Sequence, residues 1–524
     1  MTPDQALAKA RKLAKSGSVA EAVVLYRQLV DLYPNQKKIR KELKALQKSA
    51  PADIQQAAMA QEFQSLVATY SSGQMDRALA QARHLTKIYP TQPLPLNIIG
   101  VIQNQRGSYK AAVEYCSKAL DLEPSYGDAL NNLGSALHKL GQHEEAQDCY
   151  QRLLSIHGED PDVLFNLANV FKDKAELESA ISCYQRSLQI RPLYLPAQLQ
   201  LGQSQLAMDE HADAMNCFNK AIELDHQSIE AHCGIGDVLL ARNQPYEAVA
   251  WYRDALKFDD KEQVAQNGMA RALMAAGNFE EAVPLMKTYL ELNPDDTEIV
   301  HLLDAAQNNT TDIAPRQYIE KTFNGYAKKF EEHLTKQLGY QAPAQLRELV
   351  ATCAEPAKNS LRAADLGCGT GLVGDAFQDI CSSLIGIDLS AKMLEETEKK
   401  SIYTELLLGD IVETLNRLDD NFDLFISADT FIYLGNLRPL ADVVAQRTVN
   451  GALFAFSTEL EQGSGYTLKN SGRYAHSNAY IEEVLEGANF EILRQETLPL
   501  RKEKGEWLQG GFYLARYIGG KQSL

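Results

Sequence analysis

The sequence predicts an all-α array of paired helices followed by an α/β domain built on a mostly parallel, seven-stranded sheet. Three observations carry this prediction. A 34-residue period runs through residues 1–296, strand-length apolar runs alternate with amphipathic segments beyond residue 315, and the first of those runs ends in a glycine-rich turn. At 524 residues the chain holds three or four domain-sized units of roughly 150 residues each. Its 45% hydrophobic and 23% charged residues are those of a folded soluble protein, and no apolar run approaches the ~20 residues that span a bilayer. The N-terminal segment is helical and mixed in charge and lacks the apolar core of a secretory leader, which implies a cytoplasmic protein.

The net charge of −17 is uneven: +7 over residues 1–50, −16 over 51–305 and −8 over 306–524. Two acidic stretches disfavour a phosphate backbone, so neither nucleic acid nor a membrane surface is expected as a partner. The eight cysteines contain no C-x-x-C and no Cys/His ladder, so no metal site is expected. Cys149, Cys183 and Cys217 follow the 34-residue period and read as small buried thiols inside helices.

The period is defined by residue type as well as spacing. Ala78, Ala112, Ala146, Ala180, Ala214, Ala248 and Ala282 mark the second helix of each unit, and Gly100, Gly134, Ala168, Gly202, Gly236 and Ala270 the first. A turn residue lies between the helices, at Gly73, Gly107, Gly141, Ala175, Asp209, Asn243 and Gly277. A bulky residue follows four places after the alanine, as Tyr150, Tyr184, Phe218, Tyr252 and Met286, and a breaker closes the unit, as Pro90, Pro124, Pro192 and Pro294. Helices cross closely only where a small side chain leaves room, and a large one a turn later fills the gap. This pattern resembles the tetratricopeptide repeat family. Seven units span 59–296, an earlier one spans 1–36 (Ala10, Gly17, Ala22, Tyr26, Pro34), and 37–58 is an extra helix or linker. The resemblance implies a superhelix whose concave face binds a protein or peptide. Asn132 and Asn166, 34 apart on first helices, stand where some such superhelices grip peptide backbone, although here the ladder is only two rungs long and ordinary helix–helix hydrogen bonding is the other reading.

Residues 297–314 read as a capping helix and a polar linker ending at Pro315, and residues 315–524 as the second domain. Strands are expected at 362–366, 384–389, 403–408, 422–428 and 452–458, with helices between them at 372–380, 391–400, 411–418 and 436–447. The runs 490–500 and 511–518 follow without a helix and pair antiparallel at one edge. Strand one leads into Asp365-Leu366-Gly367-Cys368-Gly369-Thr370-Gly371, a tight strand-to-helix turn that brings bare backbone against a ligand. Strand two ends at Asp388-Leu389, 21 residues after Gly367, and strand three at Gly409-Asp410. In an open parallel sheet these acids converge at the carboxyl ends of the strands.

The set resembles class I S-adenosylmethionine-dependent methyltransferases, a Rossmann-like fold, and similarity to a bacterial group of predicted methyltransferases with repeats in front extends over nearly all of 315–524. It is carried further by Phe323-Asn324-Gly325-Tyr326-Ala327-Lys328-Lys329-Phe330 in the leading helix and by Ser471-Gly472-Arg473-Tyr474-Ala475-His476-Ser477. The resemblance implies S-adenosylmethionine as cofactor. Asp365 and the Gly367–Cys368–Gly369–Gly371 loop would hold its methionine part, Asp388 with Leu389 its ribose, and Asp410 its adenine, with an aromatic of the leading helix, Tyr326 or Phe330, closing over it. Strand four ends in Ala428-Asp429-Thr430-Phe431-Ile432-Tyr433, not in the Asn/Asp-Pro-Pro-Tyr pattern that aligns base nitrogens, which demotes nucleic-acid methylation.

On the acceptor side, residues 457–478 bring Arg473, Tyr474 and His476 into one stretch. An unperturbed imidazole titrates near neutrality, so His476 is the candidate base, and Arg473 is placed to clamp an anionic group. His333 and Glu459 are weaker candidates. The function expected is methyl transfer to a protein or peptide recruited by the repeats. The alternatives are a small-molecule methyltransferase with the repeats as a partner module, a scaffold that senses the cofactor, and, remotely, a dinucleotide oxidoreductase.

Overall fold

The computed structural model describes residues 3–33, 36–49, 52–353, 357–503 and 505–519. Pro34 of the first repeat lies outside them. The chain forms two compact units, Met1–Ala241 and Arg242–Leu524. Among the described residues eighteen helices precede residue 307, and no helix anywhere is long and apolar enough to cross a membrane.

Unit one consists of helix pairs such as Gly127–Lys139 with His143–His157 and Leu195–Ala207 with His211–Leu224. The 34-residue signature is its packing code. Every alanine of the series from Ala78 to Ala214 is fully buried, as are Tyr184 and Phe218. A Cβ at Gly134 would come within 2.9 Å of Tyr150 Cζ, and one at Gly202 within 2.9 Å of Phe218 Cε1. A Cβ at Gly234 would also meet the Phe218 ring, so glycines of two successive first helices hold one aromatic between them. Each such ring contributes about 1.5–3 kcal/mol of burial. The inter-helix turn needs a left-handed residue: Gly73, Gly107 and Gly141 have φ between 73° and 77°, and Ala175 and Asp209 adopt 59° and 56° in the same place. Asn132 Nδ2 donates to Asn97 Oδ1 at 3.0 Å and Asn166 Nδ2 to Asn131 Oδ1 at 3.4 Å, so both asparagines tie neighbouring repeats together.

Unit two continues the repeats through Gln263–Ala276, Phe279–Leu292 and a last helix, Thr297–Ala306, and then forms the α/β domain. Its strands are β1 (Leu361–Leu366), β2 (Cys381–Asp388), β3 (Glu405–Leu408), β4 (Phe422–Ser427), β5 (Thr448–Leu460), β6 (Tyr466–Leu468), β7 (Tyr474–His476), β8 (Phe490–Glu503) and β9 (Glu506–Tyr517). The sheet therefore has nine strands rather than seven, in the order β3-β2-β1-β4-β5-β7-β6, with β9 also on β5 and β8 on β9. The extra pair, β6–β7, is a hairpin of three-residue strands that continues the sheet where β5 outruns β4. Glu459 and Leu460 of β5 pair with Ala475 and His476. Strand pairs from β3 to β7 along β2, β1, β4 and β5 are parallel, while β6–β7, β5–β9 and β8–β9 are antiparallel. The strand order reverses at β1, so the crevice outside the ends of β1 and β4 is the place for a ligand.

The segment between the last repeat helix and the sheet is threaded into this domain. Gly435 and Asn436 donate backbone N–H groups to Asp312 O at 2.8 Å each, and Ala314 N–H donates to Tyr433 O at 3.0 Å. Leu468 N–H donates to Thr310 Oγ1 at 3.3 Å, Tyr466 donates to Asp312 Oδ1 at 2.5 Å, and buried His301 bonds through Nε2 to Gly472 O at 2.9 Å.

Candidate active site

A cavity of about 760 Å³ opens at the carboxyl ends of β1, β2 and β4. Its floor is the glycine loop. Gly367, Gly369 and Gly371 have φ of 78°, 54° and 86°, values that favour glycine. A Cβ on Gly367 would collide with the Thr430 side chain, whereas one on Gly369 would meet only Phe330 Cε1, at 3.5 Å. Bare backbone at Gly369 therefore faces the cavity beneath the leading helix, Arg316–Glu332. That helix is pinned there: Ser390 Oγ donates to Asn324 Oδ1 at 2.7 Å, and Thr370 Oγ1 donates to Glu331 Oε2 at 3.3 Å.

Three acids surround the loop. Asp388 accepts Gly369 N–H on Oδ2 and Ser390 N–H on Oδ1, both at 2.8 Å, and burial raises its pKa against the pull of those donors. Asp410 accepts Glu413 N–H at 3.0 Å, capping the helix Ile411–Arg417 while lining the cavity. Asp365 lies below the loop with no solvent exposure. Tyr403 donates to its Oδ2 at 2.6 Å, and its Oδ1 has no partner. Burial first, and then the Asp388 charge, raises the Asp365 pKa to about 7, against the Tyr403 hydrogen bond.

Of the residues singled out in the sequence, Gly367, Cys368, Gly369, Asp388, Leu389, Asp410, Tyr326 and Arg473 line the cavity, and so do Phe330 and His333. Asp365, Gly371, Tyr474 and His476 do not. Gly371 caps the helix Leu372–Phe377. Tyr474 is buried and pairs with Thr311 Oγ1 at 2.5 Å. His476 corrects the expectation of an accessible base. It is fully buried, its Nε2–H faces the carbonyls of Leu434 and Gly435 at 2.8 and 3.1 Å, and burial depresses its pKa to about 4. This neutral imidazole pins the turn after β4. Arg473 is not a free clamp either: it donates from Nε to Glu459 Oε1 at 2.7 Å and from Nη2 to Glu503 Oε2 at 2.6 Å.

The structure adds Asp429 and Arg501, which the sequence did not signal as a pair. Asp429 follows β4 with φ of 58°, a left-handed backbone rare for a non-glycine residue and frequent at functional sites. Arg501, from β8, grips both Asp429 carboxylate oxygens with Nη1 and Glu459 with Nη2. Both side chains line the cavity.

Comparison with known families matches the Methyltransferase domain to residues 363–447, and Tetratricopeptide repeat families to residues 96–126, 125–193, 199–262 and 239–306. The chain joins tetratricopeptide repeats to a methyltransferase domain. That domain is similar to the 18S rRNA (guanine-N(7))-methyltransferase of Bos taurus, 35% identical over 83 residues, or 16% of this chain and 30% of the relative. It is also similar to the malonyl-[acyl-carrier protein] O-methyltransferase of Hamiltonella defensa, 30% identical over 139 residues, or 26% of this chain and 52% of the relative. The chain thus spans about half or less of these two relatives. The repeats are similar to the crystal structure of YrrB, a TPR protein with an unusual peptide-binding site, at 17% identity and a TM-score of 0.32 over 36% of this chain and 96% of that one.

Proposed function

We propose that the chain is an S-adenosylmethionine-dependent methyltransferase whose repeats recruit a protein or peptide bearing the methyl acceptor. The observation that carries this is the acid set around a side-chain-free loop: Asp388 and Asp410 line one end of a large cavity about Gly367–Gly369, and Asp365 is buried beneath that loop. S-adenosylmethionine, when bound, supplies an electrophilic methyl on a cationic sulfonium beside an ammonium. It has no pyrophosphate, so carboxylates suit it where they would repel a dinucleotide. The residues fit. The unpartnered Oδ1 of Asp365 is an acceptor without a donor, as a methionine ammonium requires. Asp388 is half-buried and already oriented by two backbone N–H groups, which leaves lone pairs for a ribose diol. Asp410 is anchored as a helix cap and serves the adenine amino group.

The chain's own residues then do three things for methyl transfer. The leading helix covers the loop with Phe330 and Tyr326, whose rings meet edge-to-face at 5.5 Å and exclude water. The wall at Asp429 orients the acceptor. The repeats supply effective concentration of a bulky substrate. The malonyl-[acyl-carrier protein] relative, whose named substrate is an acyl group borne on a protein, favours an acceptor presented by a protein.

Calorimetry of the full chain with S-adenosylmethionine tests this directly. Binding is expected, and Asp388→Ala should weaken it roughly 100-fold, the worth of two hydrogen bonds to a charged acceptor. With methyl-labelled S-adenosylmethionine and an extract of cells lacking the protein, label should enter acid-precipitable protein. Absence of binding would remove the methyltransferase reading, and label confined to small molecules would remove the protein acceptor.

A further inference from the structure

The acceptor wall of the cavity has a charge pattern that discriminates between kinds of acceptor. Three guanidiniums line the cavity, those of Arg316, Arg473 and Arg501, and each is taken. Arg316 pairs with Glu320 at 2.7 Å, Arg473 with Glu459 and Glu503, and Arg501 with Asp429 and Glu459. In the connected group the two guanidiniums of Arg473 and Arg501 face the three carboxylates of Asp429, Glu459 and Glu503, an excess of one negative charge. An anionic acceptor entering here finds each of these guanidiniums already paired, and at Arg473 and Arg501 it must break a buried or half-buried pair to obtain one, whereas the Arg316 pair lies at the surface. A cationic or hydrogen-donating acceptor meets a carboxylate, Asp429, that is paired with Arg501 but keeps lone pairs beyond those the guanidinium uses, in a group with excess negative charge.

Of the three carboxylates only Asp429 lines the cavity. Its side chain is held by Arg501, and its backbone N–H is held at 2.9 Å by Ser457 Oγ. Its neighbour Thr430 donates to Gly367 O at 3.3 Å, which places Asp429 beside the glycine loop. Such a carboxylate is oriented before any ligand arrives.

Resting on the methyltransferase reading above, we infer that the methyl acceptor is an amine nitrogen, bound against Asp429. The amine arrives as an ammonium and passes one proton to the Asp429 carboxylate. The lone pair so freed forms the N–C bond to the methyl carbon as the C–S bond breaks with its electron pair going to sulfur. The proton leaves Asp429 for solvent as the methylated amine and the thioether depart. Burial raises the Asp429 pKa, in the direction that helps it take a proton.

The test uses the full chain, methyl-labelled S-adenosylmethionine and an extract of cells that lack the protein. The linkage formed by the wild-type chain is read chemically, so it does not depend on any variant folding. Label that survives alkali and is recovered on nitrogen by amino-acid or amine analysis is the expected result. The acid-precipitable fraction would mark a protein side chain as its source and the soluble fraction a free amine. Label released by alkali as methanol, label on oxygen or sulfur, or no label in either fraction overturns the inference. Failure of calorimetry to detect S-adenosylmethionine overturns the underlying reading instead. Asp429→Asn should reduce incorporation at least 100-fold while leaving S-adenosylmethionine affinity within twofold of wild type, and equal incorporation by this variant would also overturn the inference.

Discussion

Asp365 makes the proposed cofactor site pH-sensitive in a way that can be worked out. Burial, with the Asp388 charge behind it, lifts its pKa to about 7 in the unliganded protein. Below pH 7 it therefore holds a proton, on about nine-tenths of molecules at pH 6 and one-tenth at pH 8. An ammonium seated on Oδ1 requires the carboxylate, so binding must expel that proton. The apparent Kd for S-adenosylmethionine is then the intrinsic value divided by the fraction of sites that are ionised, and falls roughly 50-fold between pH 5 and pH 7, with about a further twofold above that. At pH 6 about 0.9 proton is released per ligand bound. Calorimetry in two buffers of different ionisation enthalpy reads both quantities, and Asp365→Asn should abolish both. The same shift acts on folding. The pKa is raised above its unfolded value, so ionisation opposes the native state: the penalty is absent below about pH 4 and reaches about 4 kcal/mol above pH 7. An affinity that is flat between pH 5 and 7, with no proton release, would refute the assignment of Asp365 to the ligand.

Other expectations follow from single residues. His476 enters the native state with its pKa depressed to about 4, so stability is full above about 6.5 and falls through that window as pH drops; His476→Gln should flatten this loss of about 3 kcal/mol, read by denaturant melts between pH 4 and 7. Ala175 adopts φ of 59° where other repeats carry glycine, so Ala175→Gly should raise the stability of the first unit by up to about 1 kcal/mol, against the loss that glycine causes inside a helix. Phe218→Ala removes a fully buried ring held between two glycines and should cost about 3–5 kcal/mol in the same measurement. His301→Ala leaves the Gly472 carbonyl without its buried donor and should speed amide exchange over residues 466–476, with unchanged exchange there refuting the contact.

What the sequence disclosed and what it concealed differ by distance along the chain. The repeat register was legible because each packing partner lies within one period: the small residue, the turn and the ring recur in an order fixed by helix crossing. Even the substitutions are informative, since Ala175, Asp209 and Asn243 take the left-handed conformation of the glycines they replace. The glycine loop, Asp388 and Asp410 were legible because each sits at a strand end, a place that local pattern marks. Asp429 and Arg501 stand 72 residues apart, and Tyr403 reaches Asp365 across 38, so neither pairing leaves a local trace. The β6–β7 hairpin escaped because three-residue strands are too short to show alternation. Without that hairpin nothing in the sequence says that His476 faces two carbonyls rather than a substrate.

The placement of the hairpin also bears on how the repeats relate to catalysis. Segment 310–316 is wall and linker at once: Asp312, Ile313, Ala314 and Pro315 line the cavity, while Asp312 holds the turn at Gly435 and Asn436 and Thr310 holds Leu468 of β6. One step before it, His301 of the last repeat helix fixes Gly472, the residue adjacent to Arg473. Arg473 shares Glu459 with Arg501, and Arg501 holds Asp429. A set of hydrogen bonds and ion pairs, joined through the Gly472–Arg473 peptide, therefore runs from the final repeat helix to Asp429 on the cavity wall. Every link is buried or half-buried, so displacement of one partner leaves the polar group it held unsatisfied. The last repeat helix is thus part of the frame that holds the cavity wall at Arg473, and a piece beginning at residue 315 would keep the glycine loop and its acids while losing the support that His301 gives to Gly472 beside Arg473.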